Sequence, residues 1–222
     1  MPFQFFNPNE PLGITQRHLP HWEQRDAYYF LTWRTADSLP REIIEQWHRE
    51  RDVWLVAHGI DAAQDDWQRE VELLPDDLHQ EFYRTFTAKW HEHLDECHGE
   101  CLLRQPEISA VVASNLRHFD GCKYELDSFV VMPNHVHVLV GIAGRNTMRA
   151  QCRNWKKYTA TVINDRLGRS GQFWQWESYD HLVRSAGSLA KFRDYIEKNP
   201  VKAKLRPSEY VLYVKPLPSV PP

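Results

Sequence analysis

Residues 123–142 read KYELDSFVVMPNHVHVLVGI, two runs rich in β-branched and aromatic residues broken at Met132-Pro133-Asn134. Such runs fit a pleated, largely buried surface, and the Pro-Asn break between them predicts two neighbouring strands. Working toward the N-terminus, residues 106–119 form a helical pattern that opens on Pro106 and stops at Asp120-Gly121. Toward the C-terminus, residues 146–167 are helical and end at Gly168, and a final helix over 188–198 is broken by Asn199-Pro200. Near the start, YYFLTWRT (28–35) predicts another strand. A helix follows from Pro40 to Gly59, with apolar positions at Ile43, Ile44, Trp47, Trp54 and Leu55. Residues 60–80 read as an irregular acidic excursion, after which Pro75-Asp76-Asp77 opens a second helical pattern through Leu78, Phe82, Phe86 and Trp90. The first 26 residues are expected to form an arm over the surface. These elements predict an α+β domain, ferredoxin-like or RRM-like, with an antiparallel sheet covered by helices. One domain over 1–206 is expected, with an acidic helical insertion at about 60–100 and an extended Pro-rich tail over 207–222.

The net charge of −3 conceals two opposed segments. Residues 37–100 hold 17 Asp and Glu against 6 Lys and Arg, whereas residues 143–206 hold 14 Lys and Arg against 5 acids. A basic half can follow a phosphate backbone, and an acidic insertion limits indiscriminate binding to polyanions. Two solvated helical surfaces would give the same pattern. No run approaches the ~20 apolar residues of a membrane span, and MPFQFFNPNEPLG lacks the basic and apolar stretches of a secretory signal. A cytoplasmic protein with four reduced cysteines is expected, nucleoid-associated when bound to DNA and without a membrane partner.

Within the second predicted strand, His135 and His137 are separated by one residue, so both imidazoles project to one face while Val136 and Val138 pack on the other. Neutral imidazoles on a rigid strand make a two-ligand platform for a divalent ion, and the same spacing also describes polar positions on an ordinary strand. Two ligands leave the ion open to a third. Tyr195 and Asn199 in DYIEKNP lie four apart, about 40° from each other around a helix, and could bring a phenol and an amide oxygen to one place. Packing of Tyr195 and capping by Asn199 is the structural alternative. Tyr158 is a second candidate nucleophile, in the most basic helix, but position +4 is Val162 and Asn164 lies about 240° away. Tyr179 is a third. Arg153, Lys156 and Lys157 suit phosphate contact, as do His181, Arg184 and Lys202; Trp174 and Trp176 could stack bases or belong to the core. His91, His93, Cys97, His98 and Cys101 have spacing that a zinc site could use, although an H-x-H on a helix splays its rings by about 200°.

Three longer segments share a pattern: LPHWEQRDAYYFLTWRTADSLP, FDGCKYELDSFVVMPNHVHVLV, and WKKYTATVINDRLGRSGQFWQWESYDHLVR followed by YIEKNPVKAKL. Taken in order, they resemble the REP-associated tyrosine transposases, a branch of the HUH single-strand transposases. The resemblance implies His135 and His137 as paired metal ligands, Asn199 as the third, and Tyr195 as nucleophile. It also implies Mg²⁺ or Mn²⁺ as cofactor, and single-stranded DNA with a REP-like hairpin as partner of a monomer or homodimer. The activity implied is cleavage and rejoining of DNA through a 5′-phosphotyrosine. A catalytically silent hairpin-binding protein and a metal hydrolase that uses water remain the alternatives.

Overall fold

The computed structural model describes residues 3–7, 9–11, 13–15, 21–64, 67–144, 146–176 and 178–216. A short hairpin, β1 (Gly13–Thr15) and β2 (His21–Glu23), precedes β3 (Ala27–Arg34). The helical excursion then holds α1 (Arg41–Ala57), α2 (Trp67–Glu72), α3 (Asp76–Phe82), a π turn (Tyr83–Ala88) and α4 (Lys89–Asp95). After a 3-10 turn at Leu102–Arg104 come α5 (Pro106–His118), β4 (Tyr124–Val131), β5 (His135–Ile142) and α6 (Met148–Arg166). The chain closes with β6 (Tyr179–Leu182), α7 (Ala186–Lys202), a 3-10 turn at Pro207–Glu209, and β7 (Val211–Val214).

The main sheet has the order β6-β3-β5-β4-β7, and every neighbouring pair is antiparallel. β3-α5-β4-β5-α6-β6 is a split βαβ arrangement with β5 inserted between β3 and β4, the ferredoxin-like topology that the strand and helix patterns predict. Its two faces differ. Tyr29, Leu31 and Trp33 of β3, with Val136, Val138 and Val140 of β5, pack against α5 and α6 through Ile108, Val112, Leu116, Trp155 and Ile163. Phe30, Val130 and Leu139 face the other way and pack on Ile196 of α7, with Phe192 and Tyr195 alongside. β5, paired on both edges and covered on both faces, is buried at every position.

Several elements depart from the sequence expectations. The excursion holds α2 where irregular chain was expected, because Trp67 and Val71, one turn apart, bury against Leu55 and Ile60 in a separate small cluster, whereas α3 opens at Asp76 as the Pro75-Asp76-Asp77 signal predicts. Leu55 lies on α1, so α1 and α2 share that cluster. β6 was not anticipated: a short edge strand, YDHL, carries too few apolar residues to stand out. α7 continues through Pro200 to Lys202, with Ala203 N–H donating to the Asn199 carbonyl at 2.9 Å and Leu205 N–H to the Pro200 carbonyl at 2.9 Å. One missing N–H is tolerated there because the Pro200 ring is buried. Part of the tail joins the sheet as β7, and residues 217–222 lie outside the described ones, as do Leu19 and Pro20 of the first resemblance segment.

The N-terminal arm is tied down over the sheet: Gln4 bridges Ala27, and Phe6 N–H donates to the Val183 carbonyl at 2.9 Å. Gly141 is required beneath it, since a Cβ there would come within 2.6 Å of the Phe3 ring. Among the described residues no helix is long and apolar enough to cross a membrane. Leu126 is fully buried between the sheet and α5/α6, whereas Val53 on α1 is 72% exposed. In urea unfolding, Leu126→Ala is expected to lose about 2–5 kcal/mol, and Val53→Ala to stay within about 0.5 kcal/mol of the parent protein.

Candidate functional site

The turn between β4 and β5 delivers Asn134 and His135 to the α7 side of the sheet, and the pleat returns His137 to the same side. Both histidines and Asn134 are 0% exposed. Two neutral imidazoles can be buried there because each Nδ1 has a neighbour. Thr32 of β3, paired with His137 in register, brings its Oγ1 to 2.7 Å from His137 Nδ1. Asn134 Oδ1 lies 2.8 Å from His135 Nδ1. Asn134 Nδ2 donates to the His98 carbonyl at 3.0 Å and approaches the Ser38 carbonyl at 3.5 Å, so the amide can meet His135 only with its oxygen. That oxygen can only accept, which puts the proton of a neutral His135 on Nδ1 and the lone pair on Nε2, the form that ligates a metal.

α7 brings the other two residues. Ser185 caps the helix, its side chain accepting from Ser188 N–H at 3.1 Å, and the face carrying Phe192, Tyr195, Ile196 and Asn199 turns to the sheet. Phe192 stacks on Phe30 at 4.5 Å between ring centroids, and Phe30 stacks on His137 at 5.5 Å. Tyr195 meets Phe30 edge-on at 5.9 Å and His137 edge-on at 5.2 Å. Asn199 is 1% exposed, and its Oδ1 has no hydrogen-bond partner among the described residues. A buried, unsatisfied amide oxygen is costly unless something else fills its lone pairs.

One site residue was not anticipated. Asp95, the last residue of α4, has a side chain only 9% exposed; its Oδ1 lies 3.8 Å from His135 Nε2 and accepts from Asn199 Nδ2 at 3.3 Å. Burial pushes its carboxyl up to about 6, opposed by the nearby Lys202 ammonium and the Asn199 hydrogen bond. Lys202 Nζ stands 3.7 Å from Asp95 Oδ2. The acidic run was the only sequence signal, and it does not distinguish Asp95 from its neighbours. Among the described residues, no group of three or more His, Cys, Asp or Glu side chains is placed to hold a metal ion.

His135, His137, Tyr195, Asn199 and Lys202 are therefore brought together, and other predicted residues are not. Tyr158 is 56% exposed on α6, which covers the opposite face of the sheet. Arg153 and Lys157 are exposed on that same helix, and Lys156 Nζ donates to the Trp176 carbonyl at 2.9 Å. His181 of β6 packs on Phe192 at 5.1 Å, and the Arg184 guanidinium stands 5.8 Å from the Phe6 ring. Trp174 is buried in the core at 4% exposure, while Trp176 is 82% exposed. Tyr179 is half-buried in β6. In the possible zinc set, Cys101 Sγ–H donates to the Cys97 carbonyl, His93 and His98 turn to Glu96, and the His91 side chain lies outside those described. Burial pushes the Cys152 thiol up, in keeping with a structural thiol. Long-range ¹H–¹⁵N NMR of the metal-free protein near neutral pH should show His135 with its proton on Nδ1; a proton on Nε2 instead would overturn the Asn134 orientation.

No curated protein matches the chain. It is similar to a REP-associated tyrosine transposase solved bound to a REP hairpin, with 13% identity and a TM-score of 0.43 over 90% of this chain and 93% of that one. It is also similar to a candidate transposase from Deinococcus radiodurans R1, with 14% identity and a TM-score of 0.30 over 81% of this chain and 92% of that one. With TM-scores this low, the fold stands on its own strand order. The family model described as "Transposase IS200 like" matches residues 105–199, a segment that begins at α5 and ends on Asn199. Residues 105–199, the segment similar to that family, carry His135, His137, Tyr195 and Asn199.

Proposed function

We propose that this protein is a metal-dependent HUH tyrosine endonuclease and transposase that cleaves and rejoins single-stranded DNA beside hairpins through a 5′-phosphotyrosine intermediate. The observation that carries this reading is the packing of Tyr195 against His137, on the α7 face that also presents Asn199. The hairpin comes from the resemblance of the sequence segments.

His135, His137 and Asn199 would hold the divalent ion, Mg²⁺ or Mn²⁺, which supplies Lewis-acid polarisation of the scissile phosphate. Two imidazole nitrogens and an amide oxygen suit such an ion when water completes the coordination, and the unsatisfied Asn199 Oδ1 fits that role. The Tyr195 phenol is held by the rings of Phe30 and His137 for in-line attack. A bond forms between its oxygen and phosphorus as the bond to the 3′-oxygen breaks, and the proton lost by the phenol is balanced by the one that the leaving 3′-oxygen gains. The phosphotyrosine ester preserves the phosphodiester energy, so an incoming 3′-hydroxyl reseals the strand without ATP. Lys202 is the predicted DNA contact at the site itself, whereas Arg153, Lys156 and Lys157 on α6 would hold DNA that passes round to the other face, with Arg184 and His181 at the β6 edge.

The test is incubation with Mn²⁺ and fluorescent single-stranded hairpins from around the gene, followed by a denaturing protein gel. A labelled adduct is expected for the parent protein and for Tyr158→Phe, and none for Tyr195→Phe. Loss in Tyr158→Phe alone would move the nucleophile to α6. No adduct with a hairpin that the protein binds would make it a silent hairpin-binding protein.

A further inference from the structure

We infer that Asp95, supplied by the helical insertion, is a positioning residue that orients the Asn199 amide so that its oxygen faces the metal position. The inference rests on the reading of His135, His137 and Asn199 as ligands, and adds a residue outside the family-matched segment 105–199.

An amide side chain can present either end. Asn199 is 1% exposed, so the choice is made by its neighbours rather than by solvent. Asp95 Oδ1 lies 3.3 Å from Asn199 Nδ2, and an ionised carboxylate only accepts hydrogen bonds, so it takes the NH₂ end and leaves Oδ1 as the end presented elsewhere. Of the two ends of the Asn199 amide, the oxygen is the one without a hydrogen-bond partner among the described residues. Asp95 is itself held: its side chain is 9% exposed and Lys202, one turn beyond Asn199 on α7, stands 3.7 Å from its second oxygen. The same carboxylate lies 3.8 Å from His135 Nε2, beside a second proposed ligand but beyond hydrogen-bond distance, so it is Asn199 that it orients. This is how metal sites orient their ligands generally, and loss of such a partner costs roughly 10–100-fold in metal affinity. The acidic excursion thereby acquires a role: α4 ends where its last carboxylate reaches the site.

Mn²⁺ alone is the probe, titrated into the full chain by calorimetry and by the electron-paramagnetic signal of free Mn²⁺, with metal-free thermal melts for every variant. Asp95→Leu and Asp95→Ala both remove the acceptor, so failure of one to fold leaves the other. Asp95→Asn retains an oxygen that can accept from Asn199. The expected result is a loss of roughly tenfold or more in Mn²⁺ affinity for the Leu and Ala variants, with Asp95→Asn rescuing binding to near the parent value. Unchanged affinity in the Leu or Ala variant overturns the inference and leaves the proposed function intact. Loss in Asp95→Asn as well, in a protein that melts normally, also overturns it, because the carboxylate would then be needed as a ligand. If the parent protein binds no Mn²⁺, or binds it equally after His137→Ala, the ligand reading itself fails.

Discussion

Two imidazoles buried side by side on the central strand are the constraint around which this molecule is organised. A polar group sealed from water without a partner costs about 1–3 kcal/mol, and here two histidines sit at zero exposure on one face of β5. Thr32 on β3 meets one Nδ1 and Asn134 in the β4–β5 turn meets the other. Asn134 can do so only because the His98 and Ser38 carbonyls hold its NH₂ group, and both carbonyls belong to the long connection between β3 and α5. A core strand, a tight turn and the insertion are thus joined through the hydrogen bonds of one ring.

The sheet separates stability from chemistry. The face under α5 and α6 is filled by aliphatic side chains and by the tryptophans Trp33, Trp155 and Trp174, and it holds the larger apolar cluster. The α7 face is smaller and mixed, with Phe30 and Leu139 beside His135, His137 and Asn199. Because β5 alternates strictly, Val136 and Val138 anchor the strand on one side while the histidines occupy the other. Neither set can slip without moving the other, since a one-residue change of register would bury the imidazoles under α6.

Much of this was legible in the sequence. The alternation in HVHVLV, the Pro-led helix at 106 and the helical spacing of Tyr195 and Asn199 are local signals, and the ferredoxin-like order follows from the strands and helices they mark. What stayed hidden depends on tertiary context. YDHL becomes a strand because β3 offers it an open edge. Pro200 remains helical because its surroundings are buried and the turn after it finds other bonds. Asp95 meets His135 and Asn199 across 40 and 104 residues of chain, a convergence that no window of sequence contains. Arg153 and Lys157 were recognisable as cations, but not as cations on the far side of the sheet from the histidines.

The π turn at Tyr83–Ala88 sits between α3 and α4 in one continuous helical run. A π turn accommodates an extra residue within a helix, and each residue advances an α-helix by about 100°. Phe86 within that turn packs on Trp47 and Trp54 of the insertion, while Asp95 at the end of the run faces α7. In effect the turn is a phase adjuster: it lets the run keep its aromatic seam on α1 and still arrive with a carboxylate aimed at the sheet. A relative with a regular α-helix across this segment would carry the equivalent of Asp95 about a quarter of a turn away, its insertion folded but facing elsewhere.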